Sequence, residues 1–186
     1  CKGLVNYTKA LMDVAGVESY YTVVYADDKR NIDKEFTSIQ GNHVILNIPN
    51  DGNDVWLECT SQIKPFGFLG DFTDDRDVLV ITPEGGQIKR TPKYINDINY
   101  QEVIATIQLD VNGDVEAKVE RKSYGIQYDD RFHIESKTKD ELEKYYKSTV
   151  WDYNNNLEVQ NVLLKNDKDA VAFNEKLQVS IKNYAS

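Results

Sequence analysis

Asn112-Gly113 stands between two runs that alternate apolar and polar residues, Tyr100 to Asp110 and Val115 to Tyr124. Side chains of a strand point to opposite faces with period two, so each run reads as a strand with one buried face. An Asn-Gly pair between such runs is a strong short-range hairpin signal, because it accepts the left-handed backbone of a tight turn. The second half of the chain is therefore expected to be antiparallel β. Leu157 to Leu164 and Ala170 to Ile181 add two further strands. Thr138, followed three residues later by Glu141, opens residues 138–149 like a capping box and predicts a helix.

The first half mixes the two periodicities. Leu4, Val5, Leu11, Met12 and Ala15 follow helical spacing, with Thr8 on the same stripe. Gly16 falls where a left-handed C-terminal cap would stand, so residues 2–15 read as a helix headed by Cys1. Residues 19–26 are rich in β-branched and aromatic side chains and predict a strand. The strands expected over 42–48 and 55–60 are joined by the turn Pro49–Asp54, which makes a hairpin. Residues 27–41 read as a surface loop, 65–71 as a Gly-rich loop, 77–82 as a short buried strand and Glu84-Gly85-Gly86 as a turn. The polar stretch after Thr91-Pro92 suggests a boundary, giving domains of residues 1–96 and 97–186.

Composition narrows the function. The 186 residues carry a formal net charge of −9. Nucleic acid needs a basic face, so it is not an expected partner. No run of about 18 or more apolar residues is present to span a bilayer. Two cysteines, Cys1 and Cys59, give no disulfide framework, and two histidines, His43 and His133, are too few for a multi-histidine metal centre. No cofactor and no metal are expected. Asp110, Asn112 and Asp114 begin like a calcium loop, but Arg121 stands where the bidentate Glu would be needed. The acids Asp71, Asp74, Asp75 and Asp77 gather oxygens in a Gly-containing loop, as a calcium site would, but a solvated loop is the favoured reading.

One constellation can do chemistry. A cysteine nucleophile reacts as the thiolate, which a helix N-terminus and a nearby imidazolium both stabilise. Cys1 heads the first helix, and His43 at the start of a strand can act as general base and acid. Glu58, near the open end of the same hairpin, can hold the imidazole by its other nitrogen. Taken singly, a helix-heading Cys is usually a small apolar residue, a strand His usually structural, and a hairpin Glu usually solvated. The order Cys, His, acid on helix, strand, strand is what distinguishes the three. Cys59 alternates away from Glu58 and reads as a buried, unpaired thiol. His133 lacks any such neighbours and reads as structural.

Cys1-Lys-Gly-Leu, Asn42-His43-Val-Ile-Leu and Trp56-Leu-Glu58-Cys-Thr60, continued by Pro65-Phe-Gly-Phe-Leu-Gly, Asp74-Asp-Arg76 and Thr91-Pro92, resemble the transglutaminase-like superfamily. The resemblance is to a bacterial envelope subgroup whose papain-like core lies between β-sandwich-like domains, and it covers residues 1 to about 94. It implies an α+β fold: the part of a transglutaminase-like core from the catalytic Cys onward, followed by an antiparallel β-rich, sandwich-like domain with one helix. It further implies thiol-dependent acyl transfer on amides, a peptide or protein substrate and an envelope location. A non-catalytic envelope module that binds protein or glycan is the alternative.

Two departures stand out. Glu58 replaces the commoner Asp, one methylene longer. The helices and the oxyanion side chain that the family has before its Cys have no counterpart here, so the chain is expected to work with an upstream part of the same polypeptide and to be inactive alone. Loss of one oxyanion donor costs on the order of 10²–10³ in rate. A lipid-modified N-terminal Cys would normally be followed by a flexible tether, whereas an amphipathic helix follows Cys1 at once.

Overall fold

The computed structural model describes residues 1–185. They form an α+β protein with two antiparallel sheets, in two compact units, Cys1–Ile95 and Asn96 onward. No helix among the described residues is long and apolar enough to cross a membrane.

The first unit begins with α1 (Lys2–Val14). Gly16 closes it at φ +72°, with Gly16 N–H donating to Asp13 O at 3.2 Å and Val17 N–H to Met12 O at 2.9 Å. Two such bonds to successive last-turn carbonyls make a Schellman cap, as the position of Gly16 predicted. The sheet comprises β1 (Tyr20–Val24), β2 (His43–Ile48), β3 (Val55–Leu57), β4 (Asp77–Thr82) and β5 (Gly85–Arg90), in the order β3-β2-β1-β4-β5. Residues 85–86, expected as a turn only, open β5. Its burial pattern is almost entirely exposed, so it lacks the apolar alternation by which strands are recognised.

Each face of this sheet has its own apolar cluster. Val44 and Leu46 pack with Val5 of α1 on one side, with Tyr21, Val23, Leu57 and Cys59 around them. Val24, Ile45, Trp56, Val78 and Val80 pack on the other side under Leu69 of the 65–71 loop. That loop is tied down by Leu69 N–H, which donates to the Tyr94 hydroxyl at 3.2 Å.

The expected stripe of α1 is only partly used. Val5 is fully buried, and Thr8, Lys9 and Met12 are half-buried beside it, while Leu4 and Leu11 are each about half exposed. The buried set follows i, i+3, i+4, i+7, a strip too narrow to cover the remaining apolar positions.

The second unit is one four-stranded sheet of order β6-β7-β9-β8, where β6 is Gln101–Leu109, β7 Val115–Tyr124, β8 Leu157–Asp167 and β9 Ala172–Ile181. The β6–β7 hairpin turns at Gly113, φ +80°, where a Cβ would lie 2.8 Å from Ala185 O. One face is polar and carries the ion pair Lys176–Glu120. Val119, Leu177, Val179 and Val159 line the other face. A helical segment covers it: α2 (Ile126–Asp129), a 3₁₀ turn (Phe132–Ser136), α3 (Lys139–Tyr145) and a π turn (Tyr146–Val150). A β-sandwich would need a second sheet, and here helices take that place. The capping box forms as read, with Thr138 and Glu141 bonded reciprocally.

Candidate active site

The entry to β2 is fixed before the site residue is reached. Gly41 has φ +80°, and a Cβ there would fall 2.5 Å from Val23 Cγ1 and 3.0 Å from Val24 O, so only glycine lets the chain approach β1 this closely. Asn42 then pairs with Ala26 in both directions, its Oδ1 accepting from Ala26 N–H at 2.7 Å and its Nδ2 donating to Ala26 O at 3.2 Å. His43 follows as the first residue of β2, directly opposite Val24 of β1.

His43 Nε2 lies 2.8 Å from Glu58 Oε2, and both side chains are largely buried. Glu58 sits one residue past the end of β3, whose Leu57 pairs with Leu46. The two side chains therefore meet diagonally on one face of the hairpin instead of as directly opposed neighbours. The extra methylene of Glu suits that diagonal reach. The other carboxylate oxygen is held by Thr60, whose N–H donates at 2.9 Å and whose hydroxyl donates at 2.5 Å to Oε1. Burial pushes the Glu58 carboxyl up, and the bonds from His43 and Thr60 more than offset this, leaving it below the usual range. With Nε2 engaged, Nδ1 is the nitrogen left for a reacting proton, and among the described residues it makes no hydrogen bond. The Phe72 ring stands edge-on to the imidazole, centroids 5.2 Å apart and planes at 72°.

Cys1 is the N-cap of α1 and is exposed, its carbonyl accepting the first helical bond from Val5 N–H at 3.0 Å. Among the described residues no hydrogen bond joins its Sγ to His43. Strand parity gives the reason. Val5 packs on the Val44/Leu46 face, whereas His43 shares the parity of Val24 and Ile45 on the opposite face. The structure thus brings His43 and Glu58 together and leaves Cys1 at the end of the helix that packs behind them.

Cys59 is free and half-buried on the α1 side of the sheet. Burial pushes its thiol up, against a hydrogen bond with Thr8. Of the four acids that read as a solvated loop, Asp75 is paired with Arg90 and Lys93, and Asp77 with Arg90. Asp74 is buried, which raises its carboxyl. His133 lies against Tyr145, centroids 6.4 Å apart. A groove of about 650 Å³ lined by Pro49, Asp54, Trp56 and Lys89 opens at the turn end of the β2–β3 hairpin, away from His43. Thr60 and Phe72 were not legible as site residues. The only sequence signal for Thr60 was its place two residues after Glu58, within reach of a local side-chain-to-backbone bond.

No protein family, curated protein or solved structure matches the chain.

Proposed function

We propose that the chain contributes Cys1, His43 and Glu58 to thiol-dependent acyl transfer on amide bonds of peptide or protein substrates in a bacterial envelope. The step requires the N-terminal end of α1 to carry Cys1 round to the face of the sheet on which His43 lies; there His43 Nδ1 accepts the thiol proton, the Cys1 thiolate attacks the amide carbonyl, and the protonated imidazole gives its proton to the departing amine. The thioester left on Cys1 is then resolved by water or by a second amine, with His43 acting again as base. Glu58 holds the ring by Nε2–H and stabilises its charged form. The observation that carries the reading is the buried His43–Glu58 bond of 2.8 Å, with Thr60 completing the carboxylate's shell. A histidine with only a packing role does not need a carboxylate partner that is itself held on its other oxygen.

A second reading, a non-catalytic module that binds protein or glycan, is favoured by one observation, the parity that sets α1 and His43 on opposite faces of the sheet. Alkylation of Cys1 separates the two. In the acyl-transfer reading, the rate against pH in the full polypeptide has a component lost in His43→Ala, and Cys1→Ala abolishes hydrolysis and amine incorporation on glutamine-containing and peptidoglycan-like peptides. Identical alkylation profiles for wild type and His43→Ala, with turnover surviving Cys1→Ala, would leave the binding module.

A further inference from the structure

We infer that Arg76 is a positioning residue for the site, holding the backbone that carries Phe72 so that the Phe72 ring braces the His43 imidazole. The inference rests on the acyl-transfer reading for its consequence in catalysis, but the brace itself is a geometric relationship.

The side chain of Arg76 is almost wholly buried, 1% exposed, yet among the described residues no carboxylate forms an ion pair with it. Its neighbours Asp75 and Asp77 give their carboxylates to Arg90. The guanidinium spends its hydrogen bonds on two successive carbonyls, Nη1 donating to Phe72 O at 2.5 Å and Nη2 to Asp71 O at 3.2 Å. A planar fork of donors suits two adjacent acceptors in a way that a lysine ammonium does not. Phe72 O is held a second time by Asp27 N–H at 3.0 Å. Arg76 is itself fixed by Thr91: the Thr91 hydroxyl accepts from Arg76 N–H at 3.0 Å and donates to Thr73 O at 2.8 Å, while Thr91 N–H donates to Arg76 O at 3.0 Å.

The segment 71–76 is thus clamped from both ends, and the side chain it delivers is Phe72, against His43. The imidazole is confined by Glu58 through Nε2 and by Phe72 at its ring, which leaves rotation about χ2 little room and directs Nδ1. The Arg76 charge also acts on the buried Asp74 carboxylate, lowering it against the effect of burial, but the hydrogen bonds of the fork go to the main chain that carries Phe72. The interaction of the rings is weak alone, so the constraint depends on the stiffness of the loop behind it.

Nitrogen and proton NMR of the two histidine rings tests this in the full chain, with His133 of the second unit as internal control. Arg76→Lys removes the fork, and Phe72→Leu removes the ring while leaving Arg76 in place. In both, the His43 ring proton signals should lose the ring-current shift and the His43 nitrogens should move toward a mixture of tautomers, with His133 unchanged. Phe72→Tyr should restore the wild-type His43 signals. In the active polypeptide, kcat should fall about 10–100-fold with KM nearly unchanged, as for a misplaced catalytic group.

Unmoved His43 signals in folded Phe72→Leu and Arg76→Lys overturn the proposal. Loss of the whole fold in Arg76→Lys overturns it as well, by reducing Arg76 to a structural staple. Moved His43 signals in a protein with no turnover support the brace and count against the acyl-transfer reading alone.

Discussion

Thr60 holds Glu58 twice, through its N–H at 2.9 Å and its hydroxyl at 2.5 Å, so one carboxylate oxygen is saturated before His43 reaches the other. The carboxylate is held by Thr60 from its own strand end and by His43 from the neighbouring strand. The contact is charge-assisted at both oxygens, the stronger class of hydrogen bond.

The first prediction follows from the direction in which Glu58 titrates. Its folded value lies below the ordinary 4.5 because the His43 and Thr60 bonds overcome the penalty of burial. A depressed carboxyl contributes stability that is present above the unfolded value and lost as pH falls through the folded one. Glu58→Gln should therefore cost about 1.5–3 kcal/mol at pH 7, the worth of bonds to a charged group. The gap to wild type should close as the pH drops below about 4.5, in urea titrations followed by Trp56 fluorescence. A constant gap from pH 7 to pH 3 would mean that the carboxylate's charge contributes nothing.

The two thiols should separate in reactivity. Cys1 is exposed, while Cys59 is half-buried beside Val44 and Leu46, with its thiol raised by burial. A buried thiol with a raised titration point is slow toward disulfide reagents. Cys1 should react at least about tenfold faster than Cys59, and Cys59→Ala should remove only the slow phase. Two phases of equal rate would show that α1 does not shield Cys59.

Gly16, the 49–54 turn, Thr138 with Glu141 and Asn112-Gly113 were legible because each satisfies a local backbone requirement that needs no distant partner. That His43 and Glu58 come within hydrogen-bond reach follows from a short turn, which fixes which strand ends meet. The face of the sheet that α1 covers was not legible. It depends on whether Val44 or Ile45 turns toward the helix, and both are apolar. Phe72 escaped for a similar reason, since it reaches His43 through a long loop whose path is set by Arg76 and Thr91. In α1 the helical spacing predicts one stripe that includes Leu4 and Leu11, and packing uses only the narrower strip through Val5, Thr8, Lys9 and Met12.

That selection gives a mutational contrast. Val5 is buried in the cluster with Val44 and Leu46, while Leu11 is about half exposed. Val5→Ala removes packed methyl groups and should destabilise the first unit by about 1–3 kcal/mol. Leu11→Ala should change stability by less than about 0.5 kcal/mol, alanine being the better helix former at an exposed place. Equal costs at the two positions would place the packed face of α1 elsewhere.

The last prediction concerns the second unit, whose sheet buries one carboxylate completely. Glu175 on β9 accepts the Tyr146 hydroxyl at 2.7 Å, with Arg131 Nε at 3.6 Å and Arg121 Nη1 at 3.9 Å. Burial pushes the Glu175 carboxyl up, against the Tyr146 bond and the Arg131 charge. A raised carboxyl binds its proton more tightly in the folded state. Its contribution is therefore fully present below the unfolded value, near 4.5, and is lost as pH rises through the folded value. Glu175→Ala strands a tyrosine hydroxyl and two arginines around an empty site, and removing one partner of such a buried set costs about 3–5 kcal/mol. Glu175→Gln keeps an acceptor for Tyr146 and cannot ionise, so it should cost less and should flatten the pH dependence of this unit above pH 4.5. Urea denaturation in a Trp56→Phe background, where Trp151 beside Tyr146 reports the second unit, measures both. A Glu175→Ala protein within about 1 kcal/mol of the parent would show that the helical segment is held on the sheet by apolar packing alone. A pH profile unchanged in Glu175→Gln would assign the raised titration to some other group.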